Sequence, residues 1–138
     1  MSRRAGLLYT ARGFSIGGRE GTARSSDGCL DVRLAIPGSG RIGTNPEQLF
    51  AAAWSASFES AMRVAADASN ITLPAEMAVH AEVDLNLSGE LYFLQARLNI
   101  SVPGLDRETA EALADASYAT CAFSKAVRGN VGVAVKVV

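Results

Sequence analysis

Few groups in this chain of 138 residues can do chemistry. There are two thiols, Cys29 and Cys121, and one imidazole, His80. His80 has no second histidine and no C-x-x-C to join it, so no metal site is expected. Two cysteines are also too few for a secreted disulfide scaffold. A thiol reacts as its thiolate, so it needs positive charge or hydrogen-bond donors to lower its pKa. Cys29 falls on the polar face of an expected strand, without an activating neighbour, and reads as incidental. Cys121 falls near the end of an expected helix, where the residue alone reads as a buried structural thiol. Two charged residues have ordinary readings of their own, Arg19 as a solvated loop side chain and Glu47 as a first-turn acid. Arg19 lies in the loop Gly17-Gly18-Arg19-Glu20-Gly21. Glu47 lies in a first helical turn, where an acid complements the helix dipole.

The elements that must position these groups follow from periodicity and turn chemistry. Residues 6–11 (GLLYTA) read as a first strand, and Gly17-Gly18 as a turn. Asp27-Gly28 is a hairpin-type turn before Cys29–Leu34, a period-two segment with Leu30, Val32 and Leu34 on one face. A long helix begins at Asn45-Pro46, since Asn caps well and Pro suits the first turn, and runs to about Ala68. On it Phe50, Trp54, Ser57, Ala61 and Val64 follow helical spacing, which makes Ser57 part of a mostly apolar stripe. Two alternating strands follow, over 79–85 and 92–102. Asp106 caps a second helix over about 107–121. Residues 131–138 form a closing strand. Strands, long helix, strands, helix, strand is an α+β order rather than a doubly wound parallel sheet.

Bulk properties narrow the function classes. The length suits one domain over 1–138. A formal net charge of -1 gives no electrostatic reason to expect nucleic-acid or membrane-surface binding. No run approaches the ~20 apolar residues needed to span a bilayer. Met1-Ser2-Arg3-Arg4 is basic, but no apolar signal-peptide core follows it, so a cytoplasmic setting is expected.

Three segments together carry a resemblance: Gly17-Gly18-Arg19-Glu20-Gly21, Gly43-Thr44-Asn45-Pro46-Glu47-Gln48-Leu49-Phe50-Ala51-Ala52, and Cys121-Ala122-Phe123-Ser124-Lys125-Ala126-Val127-Arg128-Gly129-Asn130. They resemble the organic hydroperoxide resistance (Ohr) branch of the OsmC/Ohr superfamily over almost the entire chain. The resemblance implies an α+β OsmC/Ohr-like fold, an intertwined homodimer and two-cysteine reduction of organic hydroperoxides to alcohols. It implies no bound cofactor, and a dihydrolipoyl-type dithiol on a lipoylated protein as external reductant. It assigns Cys121 as the resolving thiol, and Arg19, held by Glu47, as the activator of the reactive thiolate. The family's reactive cysteine falls at the position of Ser57. Serine cannot replace it, because a hydroxyl is far less acidic than a thiol and oxygen does not climb the sulfur oxidation ladder. Near Cys121 the chain departs from the family's usual CPYS form, with Ala122 for Pro and Phe123 for Tyr.

Several alternatives stay open at this stage. Phe50, Trp54, Phe58, Phe93 and Phe123 could line a pocket for the organic part of a hydroperoxide, or they could be plain core. Ser57 could be a deliberate Cys-to-Ser substitution, or could mark a natural paralogue that lost catalysis and binds a hydrophobic or oxidised lipid in the dimer pocket. A one-cysteine peroxidase using Cys121 is a third reading. Finally, Glu47 and Ser57 are ten residues apart on one helix, about 15 Å along its axis. An antiparallel helix pair across a twofold axis would bring one chain's Glu47 toward the other's Ser57.

Overall fold

The computed structural model describes residues 6–138, and Met1-Ser2-Arg3-Arg4 lies outside them. The described backbone divides into two compact units, one ending at Pro46 and the other running Glu47–Val138. The first unit is a three-stranded antiparallel sheet in the order β1-β2-β3, with β1 at Gly13–Ile16, β2 at Thr22–Ser25 and β3 at Asp31–Arg33. A short 3-10 turn at Gly18–Glu20 joins β1 to β2 and carries Arg19. The glycines around it are steric necessities. Gly17 and Gly18 have φ of 81° and 58°, the left-handed region that side chains resist. A Cβ on Gly21 would lie 1.7 Å from the Ile16 carbonyl oxygen. At the next turn Asp27 accepts from the Ser25 hydroxyl at 2.6 Å and from the Cys29 N–H at 3.0 Å. Those bonds hold its carboxyl below the usual carboxylate range, the Ser25 bond most strongly.

Two expectations in this unit need correction. Residues 6–11 form no strand, and Leu7, Leu8 and Tyr9 are exposed. An apolar run becomes a strand only when a neighbour pairs with its backbone, and this one has no ladder partner among the described residues. The segment expected over 29–34 pairs only at Asp31–Arg33. The Leu30 carbonyl instead closes the turn by accepting from Ser25 N at 2.8 Å. Leu34 is buried while Leu30 is exposed.

The second unit starts with helix α1, whose residues run Pro46–Ala68. Its buried stripe is Trp54, Phe58, Met62 and Ala66, a pure i,i+4 series. Val64, expected on the stripe, is 69% exposed. The expected 50-54-57-61-64 series steps by 3.5 residues on average, while the buried series winds the other way around a 3.6-residue helix. Ser57 therefore lies at the edge of the stripe and is half-buried. Each fully buried large side chain of the stripe contributes about 1.5–3 kcal/mol.

Strands β4 (Ala78–Ser88) and β5 (Leu91–Ser101) form a hairpin. Its two-residue turn places Gly89 at φ 62°, which favours glycine. Val79, Ala81 and Val83 face Ile100, Leu98 and Ala96 on the core side. On the other face Arg97 forks onto Asp84 at 2.7 and 2.8 Å and reaches Glu82 at 3.3 Å. Being half-exposed, this network adds little stability. Phe93 sits on that outer face and is exposed rather than core.

Helix α2 (Arg107–Thr120) starts as expected from Asp106, whose carboxylate accepts from Thr109 N at 3.0 Å. It ends at Cys121, and a separate helix α3 occupies Ala122–Val127. Strand β6 (Gly132–Val137) then pairs parallel with β5, giving the order β4-β5-β6. A parallel return requires a crossover, and α2 with α3 supplies it. The core joins the α1 stripe to Ala96, Leu98 and Ile100 of β5 and to Ala110, Leu113 and Ala114 of α2.

Candidate functional site

Cys121 caps two helices at once. Its N–H closes the last turn of α2 on Ser117 O at 2.8 Å, and its carbonyl opens α3 by accepting from Lys125 N at 2.9 Å. It can do both because it is not itself helical, at φ -59° and ψ 125°. Ala122 follows at the first position of α3. Proline suits that position because its N–H would have no helical partner, and alanine fills it without disturbing the helix start. The cysteine side chain is 2% exposed.

Ser57 Oγ lies 3.4 Å from Cys121 Sγ, across a sequence separation of 64 residues. Either atom can be the donor. One rung away, Trp54 Nε1 donates to Ser124 Oγ at 2.9 Å, with both groups fully buried. An aromatic edge flanks these pairs. Phe50 meets Trp54 edge-on at 5.6 Å and Phe123 at 6.3 Å between ring centroids. Phe50 and Phe123 are half-buried, whereas Trp54 and Phe58 are enclosed in the core and present no open wall. Beyond α3, Arg128 stacks over Tyr118 at 5.0 Å and donates to its carbonyl at 2.5 Å.

Burial pushes the Cys121 thiol up, as it must for a group losing solvent. Donors more than offset it: the Ser57 hydroxyl first, then the backbone and hydroxyl of Ser124 and the backbone of Phe123. The net direction is below the ordinary thiol value.

The other expected residues fall as follows. Glu47 is in the first turn of α1, ten residues before Ser57 on the same helix. Arg19 belongs to the first unit, in the 3-10 turn. Both residues are engaged by other groups. Cys29 is a free, exposed thiol in the turn of the first unit, and Cys121 is likewise free. Among the described residues no cluster of three or more His, Cys, Asp or Glu could hold a metal ion, and no helix is long and apolar enough to cross a membrane. The Trp54–Ser124 pair was not singled out from the sequence. Trp54 at three residues before Ser57 and Ser124 at three after Cys121 was the available signal.

The chain matches the family model described as OsmC-like protein over residues 38–136. It is 40% identical over 131 residues to an organic hydroperoxide resistance protein of Xanthomonas axonopodis pv. citri, covering 92% of each chain. It is 38% identical over 129 residues to the organic hydroperoxide resistance protein OhrB of Bacillus subtilis, covering 91% of this chain and 95% of that one. The crystal structure of OhrB superposes with a TM-score of 0.90, covering 96% of this chain and 100% of that one. An organic hydroperoxide resistance protein structure from Legionella pneumophila also gives 0.90, at 39% identity, covering 96% and 98%.

Proposed function

The chain belongs to the OsmC-like protein family, and on that premise we propose that its fold serves the detoxification of organic hydroperoxides, with the site centred on position 57 and Cys121. The observation that carries this reading is the 3.4 Å contact between Ser57 Oγ and Cys121 Sγ. Two sulfurs in those positions would be within reach of a disulfide. In the parent reaction a thiolate at position 57 attacks the O–O bond, taking one oxygen as a sulfenic acid and releasing the alcohol. The Cys121 thiol then displaces water and forms the disulfide. An external dihydrolipoyl-type dithiol, carried by a lipoylated protein in the cytoplasm, returns both thiols. Arg19, held by Glu47, supplies the positive charge that favours the thiolate. An intertwined homodimer brings Glu47 of one chain toward position 57 of the other. Phe50 and Phe123 receive the organic part of the substrate, with Trp54 and Phe58 as the core behind them.

Ser57 decides what this chain does with that scaffold. Its hydroxyl cannot be oxidised to a sulfenic acid equivalent, so the chain holds the site without completing the two-thiol cycle. A second reading follows from the same residue: a non-catalytic paralogue that binds a hydrophobic or oxidised lipid beside the Phe50–Phe123 edge.

The deciding assay compares the chain with Ser57→Cys for consumption of an alkyl hydroperoxide in the presence of dihydrolipoamide. Saturable turnover by Ser57→Cys alone supports the peroxidase scaffold. No turnover by either protein, with retained binding of a fatty-acid hydroperoxide, supports the binding protein. Turnover by the unaltered chain overturns the inactive state and makes Cys121 the nucleophile.

A further inference from the structure

Two residues of α1, Trp54 and Ser57, are one helical turn apart, and so are Cys121 and Ser124 at the start of α3. Residues three apart share a helix face. The two pairs confront each other as a two-rung ladder, Trp54–Ser124 at 2.9 Å and Ser57–Cys121 at 3.4 Å. Only the second rung contains the groups at which the proposed reaction takes place. The first is a buried polar contact with no assigned purpose, made where a plain apolar pair would pack as well.

We propose that Trp54 and Ser124 are positioning residues for the Cys121 sulfur: their buried hydrogen bond locks the start of α3 against α1 and so holds that sulfur against position 57. The chemistry of the two groups fixes the sense of that bond. An indole N–H can only donate, so Ser124 Oγ must accept it, and the hydroxyl's own hydrogen is left to point elsewhere. Cys121 lies one turn back on the same helix start, and the Ser124 hydroxyl is among the groups that favour its thiolate. The rung also compensates for a weakness of the element. Helix α3 has 6 residues, far too few to hold itself in place. Its register against α1 must come from tertiary contacts. A slip of α3 along α1 would carry Cys121 away from position 57. Of the charged groups on and next to these elements, Glu59 pairs with Arg63 at 2.8 Å, Arg128 holds Tyr118, Lys125 and Asp67 are exposed, and Glu47 belongs to the proposed site at the start of α1.

This role rests on the proposed site but is read out separately from it. The protein carries Cys29→Ser throughout, so that Cys121 is the one titrating thiol, and thiolate absorbance is followed against pH. Trp54→Phe keeps the ring and removes the donor. Ser124→Ala removes the hydroxyl, and Ser124→Thr keeps it. The expected result is an upward displacement of the Cys121 titration by about one pH unit in Trp54→Phe and Ser124→Ala, roughly a tenfold drop in thiolate fraction on the acid side, with Ser124→Thr close to the parent. Unchanged titration in the two deletions, in proteins whose circular dichroism is native, overturns the proposal. So does an equal displacement in Ser124→Thr, because that marks a packing effect. If a variant fails to fold, the Ser124→Ala and Ser124→Thr pair alone decides. Ser57→Cys added to this background tests the site reading itself. Failure of that variant to form a disulfide, while the titrations move as expected, counts against the proposed function and leaves the positioning role standing.

Discussion

Ser57→Cys turns one distance into a measurable stability. The Ser57 oxygen lies 3.4 Å from the Cys121 sulfur, and a disulfide needs about 2.05 Å, so roughly 1.3 Å must close. The longer C–S bond and a small adjustment of the α2–α3 junction can supply that. The bond would link residues 64 apart. The chain-entropy relation for a loop of that size gives a ceiling of about 4 kcal/mol. In a domain of this size that corresponds to a rise in Tm of about 10 °C or more. The assay is calorimetry on the variant after one equivalent of alkyl hydroperoxide, before and after dihydrolipoamide, with thiols counted in parallel. Three thiols before oxidation should fall to one, Cys29, and the Tm gain should vanish on reduction. If all three thiols survive and Tm does not move, positions 57 and 121 are not neighbours in solution, and the reasoning from this contact fails.

Other outcomes follow from features described above. Sedimentation at micromolar concentration should give a dimer, and a well-folded monomer would count against the assembly. Asp106→Ala should lower Tm, with Asp106→Ser recovering most of the loss, because the cap to Thr109 N needs an oxygen acceptor. Two bonds from Thr109, backbone first, hold the Asp106 carboxyl below its usual value. Its contribution is therefore complete above the ordinary carboxylate pKa and is lost as pH falls through the lowered folded value. The Tm difference between Asp106→Ala and the parent should shrink in that acid window, and a difference independent of pH would refute the assignment. Gly21→Ala should disrupt the turn that carries Arg19, since its Cβ would meet the Ile16 carbonyl at 1.7 Å. Unchanged amide spectra over residues 16–22 would show that the turn tolerates it.

Local chemistry made much of this structure legible. Asn45-Pro46 marks the start of α1 and Asp106 the start of α2, because caps are written in single residues. Alternation places Val79, Ala81 and Val83, and Ala96, Leu98 and Ile100 opposite them, on the core face, but Leu85, expected inward with them, is exposed because the end of the hairpin runs past the core. What failed depended on partners. Residues 6–11 look like a strand and have no ladder partner among the described residues. The apolar spacing on α1 admits a 3.5-residue and a 4-residue stripe, and only packing against β5 and α2 selects the second, leaving Val64 exposed. The break at Cys121 has no Pro or Gly to announce it. The Ser57–Cys121 contact came from the family resemblance alone, since helix phase gives a side chain's face but not what it faces.

The parallel pairing of β5 with β6 has a consequence for the time before the fold is complete. Ala96 meets Val133, so this ladder cannot form until the intervening helices have been made and laid across the sheet, whereas the β4–β5 hairpin can close locally. Long-range pairings of this kind form late. Until α1, α2 and α3 have packed together, the Cys121 sulfur, 2% exposed in the finished fold, is open to solvent. A nascent chain is thus open to oxidants at the one thiol that the finished protein hides. Its survival in the reduced state depends on how fast the crossover folds as well as on what surrounds it afterwards.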